Sequence, residues 1–266
     1  MLDSYKREIN YLRLSVTKRC NLRCEYCMPE ENNTELEYDN ILSFDKIVEI
    51  TKIAVRFGIT KVRITGGEPL LRKGIVKLVQ RLAYIKGIKD LSMSTNGILL
   101  KEFAFSLANA GLKRVNISLD TLNPSRFIKI TGKNDLEKVL ASIKVARAAK
   151  LTPIKLNCVV NNSSNEPDAL DVLRFATTEG LEVRFIRRMS LANGEYWPVE
   201  GGNGGHCHIC NKLRLSYDGF IKPCLFSDLA FSTKKLGPEK AIFLAIQSKP
   251  KQGNKNFTST FHAIGG

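Results

Sequence analysis

Up to about residue 187 the chain alternates short runs of β-forming residues with amphipathic helical stretches, and this alternation restricts its fold more than any other feature. The β-like runs are YLRLSV (11–16), KVRIT (61–65), DLSMST (90–95), RVNISL (114–119), PIKLNCVV (153–160) and LEVRFIR (181–187). Between them, the stretches at 44–57, 74–86, 135–150 and 166–180 repeat apolar residues at three- and four-residue steps. Ile47, Ile50, Ala54 and Phe57, for example, share one helical face. Ser43 stands where an N-cap belongs, and Gly58 and Gly180 stand where helices end. Strand–helix–strand units of this kind pair in parallel through right-handed crossovers. The expected fold is therefore α/β, a partial (βα)6 TIM-like barrel with its chemistry at the carboxyl ends of the strands.

Residues 1–190 hold this barrel. The glycine-rich SLANGEYWPVEGGNGGH breaks the pattern, and residues 191–206 read as a connector. Residues 207–266 form a small C-terminal extension. There Lys212–Ser216 and Phe220–Pro223 flank Asp218-Gly219, a strong hairpin signal. A helix is expected around Pro238–Ser248, and KPKQGNKNFTSTFHAIGG reads as flexible.

Side chains alternate along a strand, which sorts the runs into two faces. Leu12, Leu14 and Val16 oppose Arg13, Ser15 and Thr17, while Val62 and Ile64 oppose Arg63 and Thr65. Val115, Ile117 and Leu119 oppose Asn116, Ser118 and Asp120, while Ile154 and Leu156 oppose Lys155 and Asn157. With the apolar faces on the helices, Arg13, Arg63 and Lys155 point into the barrel. A filled barrel would place Val, Ile and Leu there. Buried unpaired cations are costly, so an anionic ligand is the natural partner. The alternative is the solvated face of an antiparallel sheet, and the intervening helices argue against it.

Three of the seven cysteines fall within eight residues, as Cys20-x3-Cys24-x2-Cys27 directly after the first run. The composition, 43% hydrophobic and 25% charged over 266 residues, is that of an ordinary globular protein. No apolar run approaches the ~18 residues of a membrane span. The first residues, MLDSYKREINYLRLSV, lack the basic and apolar regions of a secretory signal. The expected location is the cytoplasm, where clustered thiols serve metals rather than disulfides. A net charge of +15 attracts polyanions such as nucleic acids, nucleotides or acidic membranes.

Thiolates so closely spaced suit an iron–sulfur cluster or zinc. A zinc site would need a fourth ligand, and no His or Cys occurs between Cys27 and Cys158. Three ligands on a four-iron cluster leave one iron open to a reactant. A second trio, Cys207-x2-Cys210-x13-Cys224, sits on the expected hairpin. Its spacing alone favours zinc, completed by His206, His208 or His262. Cys158 alternates toward the helices and reads as a small buried apolar residue.

Cys20-x3-Cys24-x2-Cys27, with Tyr26 before the last cysteine, resembles the signature of radical S-adenosylmethionine (SAM) enzymes. Thr65-Gly66-Gly67-Glu68-Pro69 resembles the GGEP loop of that superfamily. The string from Cys207 through Leu215 to Cys224-Leu225-Phe226 is similar to the C-terminal cluster motif of the GTP 3′,8-cyclase family. The blocks LRLSVTKRCNLRCEYCMP, KVRITGGEPLLR, STNG, RVNISLDTL, TPIKLNCVV and VRFIRRM follow that family's order, and Gly265-Gly266 matches its double-glycine tail.

The resemblance implies a radical SAM lyase of molybdenum cofactor biosynthesis with two [4Fe-4S] clusters, one on each trio. Cys20, Cys24 and Cys27 would hold the catalytic cluster, whose open iron binds SAM. Cys207, Cys210 and Cys224 would hold a second cluster that binds the guanine of GTP. Tyr26, Gly67, Ser118 and Met189 would contact SAM. Arg13, Arg63, Thr95, Lys155, Lys212 and Arg214 would contact GTP, with the Gly265-Gly266 tail reaching into the site. The implied partners are an external one-electron reductant and a downstream cyclic pyranopterin monophosphate synthase, and the resemblance admits a homodimer. It implies neither a membrane nor a nucleic-acid partner.

Two departures stand out. Lys212 replaces the family's usual Arg, and Met189 and Cys207 lie several tens of residues closer than is usual in the family. Two other readings fit parts of the chain. One is a radical SAM peptide maturase with an auxiliary cluster. The other is an inactive, zinc-bearing nucleic-acid binder on the same barrel.

Overall fold

The computed structural model describes residues 1–27 and 41–265. Six parallel strands follow one another across the sheet: β1 (Tyr11–Ser15), β2 (Lys61–Thr65), β3 (Asp90–Thr95), β4 (Arg114–Ser118), β5 (Lys155–Val160) and β6 (Glu182–Arg187). The crossovers between them carry α1 (Phe44–Arg56), α2 (Ile75–Ala83), α3 (Leu100–Asn109), α4 (Pro124–Thr131), α5 (Leu136–Ala148) and α6 (Pro167–Thr178). This is the partial barrel that the alternation predicts. The caps are also where the residue types place them. Ser43 Oγ accepts from Lys46 N at 3.3 Å and opens α1, which buries Ile47, Ile50 and Ala54.

The two strand faces separate as expected. Leu12, Leu14, Val62, Ile64, Val115, Ile117, Leu156 and Cys158 are all fully buried on the helix side. Each large side chain among them contributes about 1.5–3 kcal/mol by leaving water. On the other face, register places Arg13 opposite Arg63 and Arg214, Arg63 opposite Ser92, and Asn116 opposite Lys155. A row of cations thus crosses the barrel interior.

The C-terminal residues continue the sheet. β7 (Lys212–Leu215) pairs in parallel with β1, on the edge away from β2. It turns through Asp218-Gly219 into the antiparallel β8 (Phe220–Lys222), which pairs with β9 (Phe231–Ser232). Two helices come next, α7 (Thr233–Leu236) and α8 (Pro238–Gln247), and α8 packs on α1. At the opposite edge the connector adds a bridge: Phe185 on β6 and Glu200 exchange both backbone hydrogen bonds at 3.1 Å. The connector therefore runs from the β6 edge toward β7, across the open side of the barrel.

The tail differs from the flexible segment expected from sequence. Asn254 N donates to Phe226 O, Asn256 N donates to Leu191 O, and Asn256 Nδ2 donates to Leu225 O. It ends in a short helix, α9 (Phe261–Ile264), whose Ile264 is buried. Asn256 is buried by these bonds, while Lys251, Gln252, Asn254 and Lys255 around it stay exposed, so the tail is fixed through its backbone and one side chain. Among the described residues no helix is long and apolar enough to cross a membrane.

Candidate active site

Two cavities share the barrel interior. The first, about 220 Å³, opens at the carboxyl ends of the strands, where Thr65, Thr95 and Ser118 end β2, β3 and β4. Cys20, Cys24 and Cys27 all line it, together with Tyr26, Gly67 and Met189. The approach to the cysteine loop is fixed by the loop that follows β2. Gly67 N donates to Thr17 O and Glu68 N to Arg19 O, both at 2.7 Å. A Cβ on Gly67 would lie 2.1 Å from Arg19 O, so only glycine lets the two loops meet. Burial pushes the thiols of Cys20 and Cys24 above their ordinary value, and that of Cys27 up to about 12. A metal's positive charge offsets such a penalty and binds the thiolate. Donors for a charged sulfur are already in place. Leu22 N lies 3.5 Å from Cys20 Sγ, and Asn96 Nδ2 lies 3.8 Å from it. This donor set fits an iron–sulfur cluster on three thiolates.

Tyr26 turns its hydroxyl to Asp120 Oδ2 at 2.6 Å, and Asp120 Oδ1 accepts from Val159 N at 2.8 Å. The aromatic ring of the cysteine loop is thereby tied to β4 and β5. Burial pushes Asp120 up to about 6, with the Tyr26 hydroxyl and Val159 N–H opposing the rise.

The second cavity, about 520 Å³, lies at the amino ends of the strands. Tyr11, Lys61, Asp90, Arg114, Lys155 and Lys212 begin their strands there, and Arg13, Arg63, Arg184, Arg214 and Lys249 join them. Asp90 is the sole carboxylate among the described lining residues, and it is held by Arg114 at 2.6 Å. Burial, with Arg214 beside it, pulls the Arg13 guanidinium down to about 10, and burial does the same for Arg63. Burial pulls Lys212 down to about 8, with Arg13 and Arg214 acting in the same direction. All three shifts report surplus positive charge in a desolvated space. Arg184 Nε and Tyr11 Oη are buried without a hydrogen-bond partner among the described residues. Such groups are costly unless a ligand takes them up. The cavity is built for a polyanion.

Cys207, Cys210 and Cys224 line this same cavity. Lys249 and Lys212 outweigh burial and lower the Cys210 thiol, whereas burial raises that of Cys224. At Cys210 the neighbouring cations thus prevail, a setting that favours its thiolate. Among the described residues no three His, Cys, Asp or Glu side chains come together as they would around a single metal ion. His262, one candidate fourth ligand for zinc here, lies instead in the first cavity. There Nδ1 faces Cys27 O at 3.4 Å and Nε2 faces Thr260 Oγ1 at 3.2 Å, so neither nitrogen is spare.

Most residues singled out in the sequence gather in these two spaces. Arg13, Arg63, Lys155, Lys212 and Arg214 line the second cavity. Tyr26, Gly67 and Ser118 line the first, and Met189 lines both. Thr95 parts from the other residues expected at GTP: it lines the first cavity, and its hydroxyl donates to Glu68 Oε1 at 2.8 Å. Gly265 O accepts from Arg214, as does Ile264 O at 3.2 Å, which brings the tail to the cation row. Gly266 lies outside the described residues. Sequence reasoning passed over Arg114, Arg184 and Lys249. Alternation along β4 and β6 would have found the first two, since Arg114 shares a face with Asn116. Lys249 comes just after α8, and its Nζ donates to Lys212 O and Pro223 O, contacts that no local pattern announces.

Residues 14–176 match the family model of the radical SAM superfamily. A GTP 3′,8-cyclase of Peptoclostridium acidaminophilum is 42% identical over 301 residues, covering 95% of this chain and 93% of its own. That of Moorella thermoacetica is 40% identical over 286 residues, covering 91% and 88%. An alignment of 301 residues that takes in 95% of a 266-residue chain means that the relative carries several tens of residues absent here. Among solved structures, native anSMEcpe with bound AdoMet superposes with a TM-score of 0.65 at 15% identity, over 91% of this chain and 81% of that one. At that identity the likeness is one of fold. The chain belongs to the radical SAM superfamily and, within it, to the GTP 3′,8-cyclases.

Proposed function

We propose that this chain converts GTP to (8S)-3′,8-cyclo-7,8-dihydroguanosine 5′-triphosphate, the opening step of molybdenum cofactor biosynthesis. The observation that carries the reading is the relation of the two cavities. Each opens on one cysteine trio, and they meet along Asn157, Ile186 and Met189, which line both. A reactant held at one trio can therefore touch a reactant held at the other.

Cys20, Cys24 and Cys27 would hold a [4Fe-4S] cluster with one iron open to SAM, and Cys207, Cys210 and Cys224 a second cluster open to the guanine. When bound, the first cluster and SAM supply abstraction of a hydrogen atom from the GTP ribose by a 5′-deoxyadenosyl group. The chain's own residues do the placing. Tyr26, Gly67, Ser118 and Met189 border SAM. Arg13, Arg63, Lys155, Lys212 and Arg214 neutralise the triphosphate through charge-assisted bonds and fix the ribose relative to the shared wall. Thr95 steadies the Glu68 loop. The tail at Gly265 closes on Arg214 and limits water. Lys212 presents a single ammonium where a guanidinium would present a fork, and its Nζ also donates to Asn203 O at 3.1 Å on the connector. The cytoplasm, an external one-electron reductant, a cyclic pyranopterin monophosphate synthase as consumer of the product, and a homodimer belong to the same reading.

Anaerobic reconstitution with iron and sulfide, followed by SAM, GTP and a reductant, tests it. The expected result is 5′-deoxyadenosine and the cyclised nucleotide in equal amounts. Deoxyadenosine formed while GTP stays intact would overturn it.

A further inference from the structure

Tyr196 stands on the connector, and its ring stacks on Phe226 with 4.7 Å between centroids. Gly253 lies against the pair, close enough that a Cβ would be 2.7 Å from Phe226 Cβ and 3.3 Å from Tyr196 Cε1. The ring is thus held by Phe226 and by the tail backbone. Its hydroxyl sits 3.3 Å from Cys207 Sγ and 3.3 Å from Gly253 O.

The other two sulfurs of this trio have neighbours that favour the thiolate: Lys249, Lys212 and the Lys212 backbone at Cys210, and Lys249 and the Phe226 backbone at Cys224. For Cys207 the neighbour is the Tyr196 hydroxyl. While Cys207 is a thiol, its S–H donates to the phenol oxygen. A cysteine bound to iron has lost that proton and can only accept. The phenol proton then has two acceptors in reach, a neutral carbonyl and a negatively charged sulfur. The charge-assisted bond is the stronger.

We propose that Tyr196 donates a hydrogen bond to the Cys207 sulfur of the second cluster and so raises that cluster's reduction potential. The inference rests on the assignment of a [4Fe-4S] cluster to Cys207, Cys210 and Cys224. Hydrogen bonds to ligand sulfur favour the more negative, reduced state. Tyr196 is thus a positioning and tuning residue, acting through Cys207.

The test is an anaerobic potentiometric titration of the reconstituted protein, followed by electron paramagnetic resonance. The second cluster's signal is the one absent from the C207A/C210A/C224A variant. Tyr196→Phe keeps the stacked ring and removes the donor. The second midpoint should fall by up to about tenfold in the one-electron equilibrium constant, or about 59 mV, with the first cluster unmoved. Placing 3-fluorotyrosine at 196 keeps both ring and hydroxyl and makes a stronger donor, so the midpoint should rise. Unchanged midpoints in variants that carry both clusters would refute the inference. So would loss of the second cluster in Y196F if the fluorotyrosine protein keeps it at the parent potential, for the ring would then serve packing alone. If the parent chain takes up iron for one cluster only, the cluster assignment itself fails, and the inference falls with it.

Discussion

Glu68 shows how one buried carboxylate ties the site together and what that costs. It is 1% exposed. Oε1 accepts from Leu70 N at 3.0 Å and Thr95 Oγ1 at 2.8 Å, and Oε2 accepts from Asn96 N at 2.7 Å. These donors favour the anion, yet burial prevails and pushes the group from 4.5 up to about 7. Between those values the folded chain binds more protons than the unfolded one. The stabilisation is therefore complete below 4.5 and is lost as pH rises through about 7. Asp120 acts in the same direction, from 3.8 up to about 6. The metal-free protein should become less stable from about pH 5 to about pH 8, with Glu68 contributing at most about 3 kcal/mol of the decline. In Glu68→Gln this slope should flatten. At the alkaline end the amide NH2 that faces Asn96 N–H should cost about 1–3 kcal/mol. Urea unfolding across that pH range reads both effects, and a slope unchanged in E68Q would show that Glu68 is not the titrating group.

At the scale of elements, the connector is the part that makes this barrel its own. Its bridge to β6, the Lys212 contact at Asn203 and the stack of Arg187 over Trp197 at 4.0 Å give it a fixed course. Gly205 is the tightest point: φ is +75°, and a Cβ would lie 2.1 Å from Trp197 O. Gly205→Ala meets both a left-handed backbone and a clash with a carbonyl, at a cost of about 1–3 kcal/mol. The variant should be nicked by protease within 190–206 and lose about tenfold in GTP affinity, which corresponds to about 1.4 kcal/mol. SAM cleavage should persist, since the first cavity touches none of this glycine-rich loop. Limited proteolysis with calorimetric GTP binding checks it, and a variant as resistant and as tight-binding as the parent would show that the connector does not shape the cavity. Local pattern revealed the strands, most crossover helices and the inward turn of Arg13, Arg63 and Lys155, because period and polarity are properties of neighbours in sequence. α4 carries Asn123 as N-cap, Pro124 at its start and Gly132 at its end, yet its eight residues are too few for a clear period. The end of the barrel at which the basic cavity lies was not legible for a different reason. The barrel rule points to the carboxyl ends, whereas this space exists only because β7 and the connector enclose the amino ends, through contacts far apart in sequence.

At the scale of the whole molecule, one arginine near the N-terminus joins the barrel to the C-terminal extension. Arg7 is 7% exposed. Its Nε donates to Asp3 Oδ2 at 2.6 Å, Nη1 donates to Cys207 O at 2.8 Å and to Lys251 O at 3.0 Å, and Nη2 donates to Pro250 O at 2.7 Å. One planar group thus binds an N-terminal turn, the first ligand of the second trio and the start of the tail. A point charge cannot reproduce that fork. Arg7→Met would leave the fully buried Asp3 carboxylate uncompensated and three carbonyls without their donor, a loss of about 3–5 kcal/mol. The extra substitution Asp3→Asn removes the stranded charge and should restore part of that stability, but not the grip on Cys207. The contacts of Arg7 set the order of losses. The second trio hangs on a carbonyl that Arg7 holds, whereas the first trio is fixed by Thr17 and Arg19 against Gly67 and Glu68. R7M should therefore take up iron for the first cluster at the parent level and for the second at a fraction of it. The D3N/R7M protein should recover stability while its second cluster stays depleted. Urea unfolding paired with iron analysis of both variants separates these outcomes. If stability and second-cluster iron recover together in the double variant, Arg7 serves only to neutralise Asp3, and the barrel and its extension are held together without it, by the β1–β7 pairing and the packing of α8 on α1.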